Sequence, residues 1–169
     1  VSISSRKPAS PTDCLFIGLA LYRLGQSERA IEVLEAGYNR FPTETLLADN
    51  FLRVGLELGQ HERITKTLGP TAGQMSVERL ARELNDWHDQ VSLIGYCLRA
   101  GLPTLADDLI AAVVRACDDI IELWRLSDEL LATGRRGEAE DIYRRLSRRP
   151  PDSPEAFLYS ALSFERLQR

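Results

Sequence analysis

The sequence is poor in the residues that build catalytic and metal sites. Its 169 residues include only two histidines and three cysteines, namely His61, His88, Cys14, Cys97 and Cys117. It contains no C-x-x-C pair, no two histidines at metal-ligand spacing, and no phosphate-binding loop, G-x-S-x-G elbow or H-E-x-x-H motif. Each cysteine lies within an apolar helical pattern, which predicts buried thiols in a reducing compartment. We therefore predict a non-enzymatic protein with no metal site and no cofactor.

Lysine is scarce, and acidic residues outnumber basic ones. Two lysines against nineteen arginines suggest a bacterial source with a GC-rich genome. The net charge of −4 argues against general nucleic-acid binding, which needs a basic surface. No apolar run reaches the roughly 18 residues of a membrane-spanning helix, so no membrane span is predicted. Together with the thiols, these features predict a cytoplasmic protein.

One short segment recurs along the chain. Residues 24–31 (LGQSERAI) return as residues 58–65 (LGQHERIT), which is an offset of 34 residues. Similar turns follow at 100–103 and 133–140, with Gly134 lying 33 residues after Gly101. The second and third turns are 42 residues apart, so about eight extra residues separate them. The sequence therefore predicts four repeated units.

Each unit contains two segments with apolar residues at i, i+3, i+4 and i+7, which predicts amphipathic helices. Glycines after the segments are expected to end helices, and Ser27, Thr104 and Ser153 to begin them. No alternating pattern of a β-strand is present, so the predicted fold is all-α. The predicted helices are 12–24, 27–40, 44–58, 61–68, 76–100 with a break near Asp86, 104–116, 119–132, 136–148 and 154–167.

The extra residues form an insertion at about 70–86. Gly69–Gly73 is expected to be irregular, whereas Val77, Leu80 and Leu84 keep the spacing of a helix. Two interpretations remain open for this insertion. It is either an added helical segment packed on the repeats or a mobile lid.

The repeats resemble the tetratricopeptide repeat (TPR), a helix–turn–helix unit of about 34 residues. The matching residues are Gly18, Gly25, Ala30 and Pro42 in the first unit and Gly134, Ala139, Tyr143 and Pro151 in the fourth. The resemblance implies a right-handed α-solenoid of antiparallel helix pairs. It divides the chain into a disordered or extended segment 1–11 and one repeat domain, 12–169, with units at 11–44, 45–75, 87–119 and 120–153 and a terminal helix at 154–167.

The resemblance also implies that the first helix of each unit lines a concave binding face. Carried over, the partner-binding residues are Leu15, Leu19, Tyr22, Arg23, Asp49, Arg53, Leu56, Val91, Leu98, Trp124, Asp128 and Leu131. This face is strongly apolar, which favours a protein or peptide partner with apolar anchors, and Trp124, Leu19 and Tyr22 are the predicted anchor positions. The alternative is that the chain covers this face itself, through residues 1–11 or 69–86.

Two further surfaces stand out. The last predicted helix is apolar almost all round, so we predict a homodimer through 154–167 that uses Phe157 and Phe164. The arginines between 135 and 149 alternate with acids at spacings of three to five, which favours a salt-bridged face. An acidic partner or polyanion is the alternative for these arginines.

A non-enzymatic protein–protein interaction module is the function that these observations favour. A secretion-type chaperone is similar in size and repeat number and is a second version of the same idea. Because the chain begins at Val1 and its last helix lacks a following partner, a further alternative is an accessory, targeting or oligomerisation region. Such a region would belong to a larger bacterial enzyme, for instance a glycosyltransferase or a polysaccharide-assembly protein.

Overall fold

Helices make up most of the structure, a computed structural model that describes residues 10–150 and 153–168. Within these ranges there are nine helices, as the sequence predicted for an all-α protein. They are α1 (Pro11–Arg23), α2 (Ser27–Arg40), α3 (Thr45–Glu57), α4 (His61–Glu83), α5 (Trp87–Arg99), α6 (Pro103–Ala116), α7 (Ile120–Ala132), α8 (Arg136–Ser147) and α9 (Pro154–Gln168). The predicted segment 1–11 falls mostly outside the described residues, as does Pro151.

The chain forms two compact units, Val1–Glu83 (unit 1) and Leu84–Arg169 (unit 2). In unit 1, α1 packs on α2 and α3 packs on α4, while α1 also contacts α3. In unit 2, α5 packs on α6, α7 on α8 and α8 on α9, while α7 contacts both α5 and α9. The prediction of helices packed in sequential pairs is therefore confirmed. We call α1, α3, α5, α7 and α9 the leading helices.

A glycine follows α1, α3, α5 and α7, as predicted. Gly25 has a φ of +72° and Gly134 a φ of +81°, a backbone conformation that glycine adopts without a steric penalty. The N–H of Gln26 then donates to the Leu21 carbonyl, and that of Arg135 donates to the Leu130 carbonyl. These bonds satisfy carbonyls that the end of a helix leaves free.

Helix α2 begins at Ser27, as predicted, whereas α6 begins one residue before the predicted Thr104. The tight glycine turn places Gln26 at the N-cap of α2, so Ser27 is already helical and its side chain makes no cap. Leu102 occupies the N-cap of α6, and Pro103 is the first helical residue. The predicted start at Ser153 is confirmed, since its hydroxyl accepts from the Ala156 N–H at 3.0 Å.

The segment after residue 68 is more regular than predicted. Only Gly69 leaves the helical conformation of α4, with φ 68° and ψ 175°. The chain becomes helical again from Pro70, whose fixed φ suits the first position of a helix. The predicted break near Asp86 is confirmed, because 84–86 are non-helical and the Asp86 carboxylate caps α5.

Small residues let the paired helices approach closely in unit 1. A Cβ atom on Gly18 would lie 2.6 Å from Cγ of Leu34, and one on Gly55 would lie 2.6 Å from Cγ1 of Ile64. Both glycines lie on leading helices and face the second helix of their own pair. Gly18, one of the residues that match the repeat, therefore marks a close approach of α1 and α2.

The three cysteines are buried and free, as predicted. Burial raises the pKa of the Cys97 thiol to about 12, so this thiol stays protonated and unreactive near neutral pH. Burial also raises the pKa values of Cys14 and Cys117.

Candidate interaction surfaces

The leading helices share one burial register. Their inward residues are Cys14, Gly18 and Leu21 in α1, Ala48, Leu52 and Gly55 in α3, and Leu123, Ser127 and Leu130 in α7. The α3 set lies 34 residues after the α1 set, and the α7 set lies 109 residues after it. Residues that are related by these offsets therefore face the same way on their helices, each relative to its own unit.

On α1 the structure brings the predicted site residues together. Leu15, Leu19 and Tyr22 are half-buried and follow one another at helical spacing, with Arg23 exposed beside them. The Tyr22 hydroxyl donates a hydrogen bond to Glu57 of α3. This bond fixes the edge of the face and leaves the two leucines as its apolar part.

On α3 the chain covers its own predicted site. The Arg79 guanidinium donates two hydrogen bonds to the Asp49 carboxylate, at 2.7 and 2.8 Å, and Arg53 pairs with Glu83 at 3.0 Å. Both partners belong to the helical stretch 70–83 of α4, and Leu56 is buried. The insertion is thus a packed helix against α3.

In unit 2, helix α7 covers much of the predicted site on α5. Val91 has no exposed surface, and Leu98 is half-buried. Arg99 forms an ion pair with Glu129 of α7 at 2.6 Å. Since α7 lies on this side of α5, Val91 is a core residue and offers no surface to a partner.

Trp124, a predicted anchor, lies under α9. Its ring is 5.6 Å from the Tyr159 ring between centroids, and the Arg166 guanidinium lies over it at 5.7 Å. Asp128 accepts a hydrogen bond of 2.8 Å from the Tyr143 hydroxyl, while Arg166 approaches the same carboxylate at 3.8 Å. Burial, together with this bond to Asp128, raises the pKa of Tyr143. Trp124 therefore holds α9 within unit 2.

Helix α9 turns its largest side chains outward. Phe157 is 67% exposed and Phe164 is 59% exposed, whereas the buried positions are the small Ala156 and Ser163. The predicted apolar surface on this helix is therefore present. Leu131 of α7, the remaining predicted site residue, is half-buried.

The arginine-rich helix α8 pairs with acids, as predicted. Arg136 and Arg144 both bind Glu140, and Arg144 also binds Asp141. The Arg135 guanidinium binds Asp107 of α6 as well as its neighbour on α8, Glu138. Arg149 donates to a main-chain carbonyl, that of Asp118. These arginines are engaged within unit 2.

A polar hollow of about 580 Å³ lies between α2 and α4. Its walls carry Glu35, Asn39, Glu62, Arg63, Lys66 and Thr67. Arg63 binds the Glu35 carboxylate at 2.6 Å and Thr67 donates to it at 2.8 Å; the bond from Arg63 is the main cause of the lowered pKa of Glu35. A carboxylate that is stabilised in this way is a poor proton acceptor.

Two features of the surface were missed from the sequence. The Glu35–Arg63 pair joins residues 28 positions apart, and no motif signals it. The apolar stripe Phe16, Ala20 and Leu24 on α1 was not singled out, although its spacing of four residues would have shown it. Phe16 is 65% exposed and Leu24 is 63% exposed.

The described residues contain no cluster of His, Cys, Asp or Glu that could hold a metal ion. His88, one of the two histidines, lies on the surface beside Glu122 and Arg125 of α7. Within residues 10–150 and 153–168, no helix has the length and apolar character needed to cross a membrane. Comparison with protein-family models, curated proteins and solved structures finds no match to this chain.

Proposed function

We propose that this chain is a non-enzymatic, TPR-like interaction module that binds a protein or peptide through its leading helices. In this proposal the helix pairs are repeats of a right-handed α-solenoid. Its support is the 34-residue recurrence together with the burial register that α1, α3 and α7 share. The buried, unreactive thiols favour a reducing compartment such as the cytoplasm.

The observation that carries the binding function is the apolar surface of α1. Leu15, Leu19 and Tyr22 keep part of their surface exposed on one side of this helix. Paired charges occupy the equivalent positions of α3, at Asp49 and Arg53, and so α3 offers no apolar anchor site there. A short amphipathic helix or extended peptide with apolar anchors fits such a face.

Peptide selection tests this function without requiring an identified partner. A displayed library of random peptides is selected on the immobilised chain, and we expect enriched sequences with two or three apolar anchors at helical spacing. Leu19→Gln should weaken binding of these peptides by about tenfold or more, because a central apolar contact is lost. Ala36→Gln, an exposed change on α2, is the control and should leave binding unchanged.

Two results would contradict the proposal. One is that repeated selections enrich no apolar sequence above an unrelated helical protein. The other is that enriched peptides bind Leu19→Gln as tightly as the original chain while circular dichroism shows both proteins folded.

A further inference from the structure

Within unit 2, helix α7 contacts a leading helix on each of two faces. One face meets the next leading helix, because Trp124 of α7 lies against Tyr159 of α9. We call this the forward face. The opposite face, which we call the backward face, meets the preceding leading helix, as Glu129 of α7 meets Arg99 of α5.

The forward face of α9 is apolar and uncovered. Phe157, Ala161 and Phe164 stand 33 residues after the forward residues Trp124, Asp128 and Leu131 of α7. In α7 these positions are half-buried, and Trp124 and Asp128 contact α9. In α9 all three are exposed, so the position of a next leading helix is open among the described residues.

The backward face of α1 is also apolar and uncovered. Phe16 and Ala20 lie 109 residues before Arg125 and Glu129, which contact α5 from the backward face of α7. In α1 this face consists of Phe16, Ala20 and Leu24, and all three are exposed. Neither stripe carries a charged side chain, so each prefers an apolar partner.

We propose that a second copy of this chain covers these stripes, with the forward face of α9 in one copy docked on the backward face of α1 in the next. Such a contact would repeat the packing that joins α7 to α9, now between two molecules. It joins a forward face to a backward face, as in the contact between Gly95 of α5 and Glu129 of α7. A contact between two α9 helices would join two forward faces, an arrangement that none of the described leading helices makes.

The interface is therefore heterologous. In a pair of copies, one copy keeps an unused stripe on α1 and the other keeps an unused stripe on α9. Association therefore continues beyond a dimer until a ring closes or a linear array forms. The average mass in sedimentation velocity should accordingly rise with protein concentration, from low to high micromolar, without a limit at two copies.

Complementation between two blocked variants tests the proposal. Phe157→Glu with Phe164→Glu blocks α9, and Phe16→Glu with Leu24→Glu blocks α1. Each variant alone should be monomeric, because a carboxylate in the contact weakens association by at least about tenfold. Mixed together, the two variants should form a 1:1 dimer and nothing larger, since one intact stripe remains on each.

A matched control comes from α3. Leu46→Glu places the same charge on a leucine that is 61% exposed outside both stripes, and it should associate like the original chain. Circular dichroism checks that every variant is folded. If a glutamate variant fails to fold, serine at the same positions replaces it, and the same complementation is expected.

Three outcomes would overturn the proposal. The original chain could remain monomeric up to high micromolar concentration. The α1-blocked variant could dimerise by itself, which would indicate an α9–α9 contact instead. The two blocked variants could fail to pair when mixed, although both are folded and the original chain associates. None of these outcomes bears on peptide binding at Leu19, so the two proposals are tested independently.

Discussion

The two units end on helical segments that pack in opposite ways. The stretch 70–83, at the end of unit 1, buries Val77 and Leu80 against its unit. Helix α9, at the end of unit 2, buries Ala156 and Ser163 and leaves Phe157 exposed. Both segments carry large apolar side chains, but only the first places them inside.

The difference shows that the size of the inward side chains decides what a final helix does. In unit 1 the large residues complete the core, and the ion pair between Arg79 and Asp49 fixes the segment at its edge. In unit 2 small residues let α9 lie close to its neighbours, while its attachment relies on Trp124 and Arg166. A helix of the second kind keeps its apolar area available for a partner.

The largest expected effect comes from removing an inward side chain of 70–83. Leu80→Ala should lower the free energy of unfolding by about 2–5 kcal/mol, because it leaves a cavity beneath a leucine that is almost fully buried. Urea unfolding followed by far-ultraviolet circular dichroism measures this loss. Both tryptophans, Trp87 and Trp124, lie in unit 2, so their fluorescence separates an effect on unit 1 from one on unit 2.

The matched change on α9 should do almost nothing to stability. Phe164→Ser removes a larger side chain, yet that side chain is exposed, so the free energy of unfolding should change by no more than about 0.5 kcal/mol. This measurement is made at a concentration where the protein is monomeric. Equal losses for Leu80→Ala and Phe164→Ser would show that the two final segments do not differ as described.

Much of the fold could be predicted from the sequence because its main signals are local. The turn after a leading helix requires a positive φ, which favours glycine. Because this glycine turn recurs in the sequence, the helix pairs could be predicted correctly. Neither Ser27 nor Thr104 caps its helix, and the cause is physical. Where the turn is this tight, the residue after glycine is already the N-cap, so Ser27 and Thr104 arrive too late to cap.

The interaction surface could be predicted only in part, because contacts between distant segments decide it. Trp124 fits the register of a binding residue, but whether α9 lies over it depends on residues more than 30 positions away. The pairing of Asp49 with Arg79 depends in the same way on the conformation at Gly69. No local pattern in the sequence contains this information.

The backbone conformation of Gly69 provides the next test of the comparison between the two units. Gly69→Ala should lower the free energy of unfolding by about 1–3 kcal/mol, since φ 68° with ψ 175° is a region that other residues scarcely adopt. No atom lies within 4 Å of the added Cβ, so the loss comes from the backbone and not from a clash. The Arg79–Asp49 pair should weaken along with it.

Gly137→Ala is the control for this substitution. Gly137 lies in α8, also with no atom within 4 Å of an added Cβ, but it has an ordinary helical backbone. Alanine there should raise the free energy of unfolding by about 0.4–1 kcal/mol. A loss at Gly137 or a gain at Gly69 in urea unfolding would refute the backbone explanation.

A smaller effect is expected where α8 joins α7 in unit 2. Tyr143→Phe removes the hydroxyl that donates to Asp128, and it should lower the free energy of unfolding by about 1–2 kcal/mol, because the acceptor is charged. Trp124 lies 6.3 Å from Tyr143 between ring centroids, so its fluorescence reports the transition directly. Combining Tyr143→Phe with Asp128→Asn should cost less than the sum of the single changes. Strict additivity would show that the bond contributes nothing.

Among the contacts whose loss should destabilise the fold, the smallest effect is predicted for the ion pair that joins α2 to α4 in unit 1. Arg63 holds the pKa of Glu35 below its usual value of 4.5, so the ionised carboxylate stabilises the folded state. This contribution is fully present above about pH 4.5 and is lost as the pH falls through the lower pKa of the folded protein. Glu35→Gln should therefore cost about 0.5–1 kcal/mol near neutral pH, as a partly exposed pair does.

The pH dependence separates this pair from a general effect of removing a charge. In urea unfolding, the difference between Glu35→Gln and the original chain should shrink as the pH falls below 4.5, because the carboxylate becomes protonated as the pH passes through its lowered pKa. Glu32→Gln is the control, since Glu32 is exposed one turn earlier on α2, and it should show little loss at either pH. Equal losses for the two variants at neutral pH, or a loss at Glu35 that persists unchanged in acid, would mean that the bond from Arg63 does not stabilise unit 1.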